Sequence, residues 1–300
     1  MPNVFLWRVL VMQNPNFSSQ QGFTLIELMI AITLGLIVTA AALMMFLSSQ
    51  RSLAMQNGLS SIQQNATFGL TNVAKDLRHI NLDSGSDFVS HSNSKSGIVF
   101  QPITGVTVDK VTKAESGQST MTPNSDQLTI RYVNRKNNTM NCEGVIVEQD
   151  KEIIQRYYID KLPQAQQNQG DTRYGLFCEV LDEKKTGKPA IAIADAESFK
   201  VSVVTRYFND TPADRKDDQL RYQTLKEYIT APTGNAVVAV EIGVVIRSSG
   251  SVHADSSISA NPTFTIAGEK VKLSNPPSTA SHLRVPVTQV VAIRNSQGVE

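Results

Sequence analysis

Residues 22–47 read GFTLIELMIAITLGLIVTAAALMMFL, an almost unbroken apolar run long enough to cross a bilayer as a helix. One carboxylate, Glu27, interrupts it near its start. A lone charge in such a segment costs about 3 kcal/mol on insertion scales, so it calls for a partner. No Lys, Arg or His lies between Phe23 and Gln50, which leaves another chain, or a newly made terminus of this one, as the source of the cation. The polar stretch 14–21 ends at Gly22, directly before the run. An ordinary secretory cleavage falls after the apolar region and discards it. A cut between Gly22 and Phe23 would keep it and create an α-amine close to Glu27.

Downstream the apolar pattern changes from continuous to periodic. Met55, Leu59, Ile62, Ala66, Leu70, Val73, Leu77 and Ile80 follow one another at alternating threes and fours, the stripe of an amphipathic helix. No proline interrupts the chain between Pro15 and Pro102. One helix is therefore predicted from the apolar run to about Ile80, a rod of roughly 85 Å at 1.5 Å per residue. Residues 1–22 form a leader, 23–47 the transmembrane half of that helix and 48–80 its amphipathic half, laid against a sheet. Gly58 and Gly69 each weaken the helix by about 1 kcal/mol or less and allow bending. Gly35 is a candidate contact between membrane helices.

Residues 81–300 read as a β-rich domain, opening with a polar loop and continuing through alternating or apolar segments separated by Gly, Pro, Ser and Asp. Strands are expected at 97–103, 106–111, 127–133, 145–148, 153–159, 176–181, 199–208, 221–229, 237–246, 263–273 and 283–293. Val201, Val203, Thr205 and Tyr207 alternate with Lys200, Ser202, Val204 and Arg206 as a half-buried strand does. Val237–Ile246 is more continuously apolar and reads as a central strand covered on both faces. Cys142 and Cys178 are the chain's two cysteines, and neither sits in a C-x-x-C pair. A single disulfide is the expectation, two buried free thiols the alternative, and a disulfide implies an oxidising compartment.

Few signals of chemistry are present. The net charge is +1, with no run of basic residues, so a broad nucleic-acid footprint is not indicated. None of the motifs G-x-S-x-G, H-E-x-x-H, G-x-x-x-x-G-K-[ST] or G-x-G-x-x-G occurs. His79, His91, His253 and His282 are scattered, and no metal or other cofactor is expected. The segment Asp83–Asp87 alternates oxygen side chains around a glycine like the start of a calcium loop, but it lacks the distal glutamate and reads as a solvated turn. The mixed-sign run Asp214–Asp218 reads as a solvated loop. Tyr157–Tyr158 and Tyr207–Phe208 could stack nucleobases, yet on strands they read as core or cross-strand pairs.

The segment Gly22-Phe23-Thr24-Leu25-Ile26-Glu27-Leu28 resembles the prepilin signal of type IV pilins and type II secretion pseudopilins. The resemblance implies an α+β, pilin-like fold in which a long N-terminal helix packs on a mostly antiparallel sheet domain. It implies that a prepilin peptidase cuts after Gly22, that Phe23 becomes the N-methylated terminus, and that Glu27 pairs with a neighbouring subunit's amine during assembly. The leader departs from the family's short basic form, carrying Arg8 alone; translation from Met12 would leave MQNPNFSSQQG. Length, the segment Lys75-Asp76-Leu77-Arg78 and the ending Ala292-Ile293-Arg294-Asn295 are similar to PilW-type minor pilins. Implied partners are other minor pilins and the major pilin through the helix, the prepilin peptidase, the assembly platform and the inner membrane. The implied role is a non-catalytic subunit that primes pilus assembly and joins the fibre or its tip, serving twitching, adhesion and DNA uptake. Alternatives are a J-type pseudopilin and a pilin-anchored adhesin.

Overall fold

The computed structural model describes residues 22–86, 88–166, 172–181, 187–207, 219–232, 235–252, 259–275 and 282–296. The leader 1–21 with its two candidate start residues, Asp87, Phe208, the 214–218 run and His253 lie outside the described residues. Contacts divide the chain into two compact units, 1–50 and 51–300. A single helix, α1, runs from Leu25 to Leu77. In the first unit every described residue from Gly22 to Gln50 is exposed, and the helix is apolar enough there to cross a membrane.

In the second unit one stripe of α1 is buried: Gly58, Ile62, Ala66, Gly69, Leu70, Val73, Ala74 and Leu77. This follows the expected stripe with one shift, because Leu59 stays 39% exposed and the seat is taken by Gly58. A Cβ at Gly58 would stand 3.1 Å from Val252 and 3.3 Å from Ser248, a close approach that a side chain could enter only if those neighbours gave by a few tenths of an ångström. The helix ends where Asn81 (φ 66°) and Asp83 (φ 49°) enter the left-handed region. The last turn closes on itself, with Arg78, His79 and Ile80 N–H donating to Ala74, Asp76 and Leu77 O, and the residues after it are held from the far end of the chain: Asn295 Nδ2 donates to Ile80 O at 3.1 Å, while Asn81 Nδ2 donates to Asn295 O at 2.9 Å.

Two four-stranded antiparallel sheets share this core. One contains β2 (Leu128–Val133), β5 (Glu152–Lys161), β6 (Tyr174–Val180) and β7 (Ala190–Ala194), in that spatial order. The other runs β13 (Arg284–Ala292), β10 (Ala236–Arg247), β8 (Ala196–Tyr207), β9 (Gln219–Thr224). A short hairpin pairs β3 (Thr139–Met140) with β4 (Ile146–Val147), and a small sheet orders β1 (Met121–Thr122), β12 (Glu269–Leu273) and β11 (Thr263–Ile266). Central strand β10 is covered twice, as its composition demands. Val240, Ile242, Val244 and Ile246 join the core with Ile62, Leu70 and Leu77 of α1. Val245 packs on the opposite face with Met121, Ile266, Val271 and Leu273 of the small sheet.

Four expected strands come out differently. Segments 97–103 and 106–111 are reduced to isolated bridges, Ile98 to Ile130 and Ile103 to Val106, because Pro102 offers no N–H and Gly105 turns the chain at φ 80°. Segment 263–273 is a hairpin rather than one strand, turned by Ala267 and Gly268 at φ 45° and 76°. Segment 221–229 breaks after Thr224 into α2 (Leu225–Thr230), started by a capping box between Thr224 and Glu227.

Gly69 carries the tightest helix–sheet contact on α1. A Cβ there would collide with Ile193 and stand 2.7 Å from the Ala192 carbonyl oxygen of β7, whereas one at Gly35 would meet nothing. Gly→Ala in an open helix gains about 1 kcal/mol, and overpacking costs about 1–3 kcal/mol. Gly69→Ala should therefore lower the melting temperature of the detergent-solubilised chain, and Gly35→Ala should leave it unchanged or raise it; equal melting of the two variants would contradict this packing.

Candidate functional site

The chain enters α1 through Gly22, Phe23 and Thr24, none of them helical. Thr24 and Glu27 stand at the two corners of an N-terminal cap: Glu27 N donates to Thr24 Oγ1 at 3.3 Å, and Thr24 N donates to Glu27 Oε2 at 3.4 Å. Thr24 Oγ1 also lies 3.5 Å from Glu27 Oε2. These reciprocal contacts satisfy orphan N–H groups and place negative charge at the positive end of the helix dipole. The T-x-x-E spacing of Thr24 and Glu27 is the sequence signature of this cap, masked there by the unbalanced charge of Glu27. The contacts found for Glu27 among the described residues are those to Thr24, which carries no charge. Phe23 is 86% exposed, and a Cβ on Gly22 would meet nothing within 4 Å.

The other candidate residues divide. Cys142 and Cys178 are joined as a disulfide with Cα atoms 6.1 Å apart. Cys178 lies in β6 with its side chain buried, and Cys142 lies in the turn between β3 and β4, so the bond ties that hairpin to the sheet. Asp83 faces Arg135, whose Nε donates to Asp83 Oδ2, so its carboxylate has a protein cation as partner. Among the described residues no cluster of His, Cys, Asp or Glu is arranged to hold a metal ion. Tyr158 stacks on its cross-strand partner Phe177, with the Arg156 guanidinium 3.9 Å above its ring. Tyr157 is fully buried and donates to Asp76 Oδ2 at 2.6 Å.

That last contact belongs to a polar site late in the helix that no motif in the sequence marks. Asp76, late in α1, accepts from both Tyr157 and Gln155 Nε2 on β5, the latter at 2.8 Å. Burial first, then the nearby carboxylate, holds the Tyr157 phenol well above its usual range, so it stays a donor. His79 stacks on Tyr132, His91 packs against Phe100 and Tyr228, and His282 Nδ1 lies 3.1 Å from Ser248 O. Burial pushes the pKa of His79 and His91 below the usual value.

Residues 17–43 match the model of the prokaryotic N-terminal methylation motif. The chain thus carries this motif at the head of a long apolar helix, with antiparallel sheets behind it. Among solved structures, a type IV-like pilin, TTHA1219 from Thermus thermophilus, aligns over 78% of this chain and 97% of that one, at 13% identity and a TM-score of 0.37. No curated protein matches the sequence.

Two measurements follow from these groups. The disulfide closes a loop of 36 residues, worth about 4 kcal/mol in the chain-entropy model, so a Cys142→Ser, Cys178→Ser double variant should unfold at clearly lower denaturant concentration. His79 and His91 have folded pKa values below the unfolded value of 6.5, so the stability they contribute is complete above that pH and lost as pH falls through the folded values. A plot of melting temperature against pH should therefore decline below about 6.5, and His91→Phe should flatten part of that decline.

Proposed function

We propose that this chain is a minor pilin of a type IV pilus, a non-catalytic subunit that is processed at Gly22–Phe23 and helps prime fibre assembly. The observation that carries the reading is the state of Glu27: an exposed carboxylate in the wholly exposed apolar first part of the helix, with the uncharged Thr24 as its contact. In lipid that charge needs a cation, and a neighbouring subunit's N-terminal amine, made by cleavage before Phe23 and then methylated, is of the right sign and at the right depth. The open surroundings of Gly22 support an external reason for glycine there, namely close approach of a peptidase to the backbone, because nothing among the described residues demands it. Residues 23–47 act as the membrane half of the helix, 48–80 as the amphipathic half, and 81–300 as the globular domain.

The disulfide supports a globular domain in the periplasm and later at the cell surface, with the anchor in the inner membrane before assembly. Partners on this reading are the prepilin peptidase, the assembly platform, and other pilins, major and minor, through the helix. Length and the segments around Asp76 and Asn295 favour the PilW type. Twitching, adhesion and DNA uptake would depend on it through the fibre.

Glu27→Val should leave processing intact and abolish or strongly reduce piliation, read by the mass of the purified chain and by surface pilus counts. Normal piliation would sink the role given to Glu27. Gly22→Leu should give a chain that keeps its leader, and an unchanged mature mass would remove the cleavage site. Deleting the gene should remove pili, and blocking pilus retraction in the same strain should bring some of them back, as priming requires.

A further inference from the structure

A buried cluster far from the N-terminal motif has the composition of a reactive site. Lys200 of β8 points its ammonium at two carboxylates: Nζ lies 3.1 Å from Asp126 Oδ1 and 2.6 Å from Glu269 Oε2. The side chains of Lys200, Asp126 and Glu269 are 1%, 2% and 17% exposed. Asp126 stands just ahead of β2, and its N–H donates to Phe199 O, which lays this segment along β8. Glu269 opens β12 of the small sheet, which lies over Gly243, the cross-strand partner of Lys200.

Fully ionised, the three groups would carry one uncompensated negative charge away from water, which is costly. The cluster eases this at Asp126, where burial raises the pKa to about 6, against the pull of Lys200 and two backbone N–H groups, which brings the protonated acid within reach of neutral pH. Those two donors, Glu115 N to Oδ1 and Val201 N to Oδ2, are each at 2.9 Å. The result is a carboxylic acid polarised by backbone donors, an amine beside it, and a second carboxylate in contact with that amine.

We infer that Lys200 and Asp126 are the reactant pair of an intramolecular amide bond, formed autocatalytically with Glu269 moving the protons. Glu269 takes one proton from the Lys200 ammonium. The freed Nζ lone pair attacks Cγ of the protonated Asp126, forming the N–C bond and shifting the carbonyl pair onto Oδ2, where the Val201 N–H holds the charge. Glu269 returns its proton to the Oδ1 hydroxyl, which departs as water as the carbonyl re-forms, and then takes the second proton from nitrogen. An ammonium, a carboxylic acid and a carboxylate thus become an amide, one water and a protonated Glu269, with charge and protons balanced. Fixed contact between the two groups supplies the effective concentration that the same condensation lacks in solution. The product would join the strand β8 of one four-stranded sheet to the lead-in of β2 of the other.

The test is peptide mass spectrometry of the full-length chain, reduced, denatured and digested with trypsin. The expected result is a joined species with the mass of the 114–131 peptide plus that of the Lys200-bearing peptide minus one water, with no cleavage after Lys200. Both peptides at full mass in the wild-type chain would overturn the proposal, and this reading does not depend on any variant folding. Glu269→Gln keeps the size and hydrogen bonding of the side chain but cannot accept the proton, so it should give unlinked peptides. A joined species of undiminished yield in Glu269→Gln would remove Glu269 from the chemistry, and one in Lys200→Arg would overturn the assignment of the nucleophile.

Discussion

The charge of Glu27 governs how this molecule can exist. In the single chain that carboxylate has the positive end of its own helix dipole and the neutral Thr24, an arrangement worth about 1 kcal/mol and adequate at a water-exposed helix start. In hydrocarbon the cost of the lone charge is larger than the cap returns. A cap that suffices in water and falls short in lipid leaves Glu27 available to an incoming cation without first having to break a strong ion pair. The weakness of its present contacts is thus compatible with an assembly role, whereas a tight internal salt bridge would have argued against one.

The second half of α1 works under a different constraint: it has to lie close to two sheets rather than in lipid. Its buried stripe uses small residues at Gly58, Ala66, Gly69 and Ala74, and the larger Ile62, Leu70, Val73 and Leu77 fill the space between them. Close approach is what makes the Asp76 to Tyr157 contact possible, since a hydrogen bond of 2.6 Å between these side chains requires helix and strand backbones to be near. The turn after the helix is closed by Asn81, which donates to Asn295 O, and by Asn295, which donates to Ile80 O, contacts that span nearly the whole sequence of the domain. The last described segment of the chain therefore finishes the helix that began it.

Periodicity made the long helix legible because 3.6-residue spacing over many turns has no competing reading, and continuous apolarity marked β10 as central. Glycines misled in a specific way. At 58 and 69 they read as weak points of an isolated helix, but their function is steric and depends on Val252 and Ile193, which are remote in sequence. Local turn chemistry was present but underweighted: Thr224 with Glu227 announces α2, and Ala267-Gly268 announces a hairpin. The N-terminal motif was fully visible as a pattern, apart from the cap made by Thr24. The partners of Asp76, Lys200 and Asp126 could not be read at all, because a charged residue looks the same in sequence whether its partner across the fold exists or not.

Where the strong connections fall bears on how such a domain would resist force. The disulfide joins the β3–β4 arm to β6, so it holds an appendage onto one sheet and leaves the junction between the two sheets to packing and to the contacts of α1. Packing of that kind is collectively strong but can slide, since apolar contacts have no directional preference. Asp126 is placed at that junction, receiving N–H donors from Val201 and Glu115 while facing Lys200. A directional link there resists shear between the sheets, which the core alone resists least. As an ion pair that link would cost desolvation in return for modest net stability; as an amide it would carry no charge, keep the Val201 hydrogen bond, and be indifferent to salt and pH.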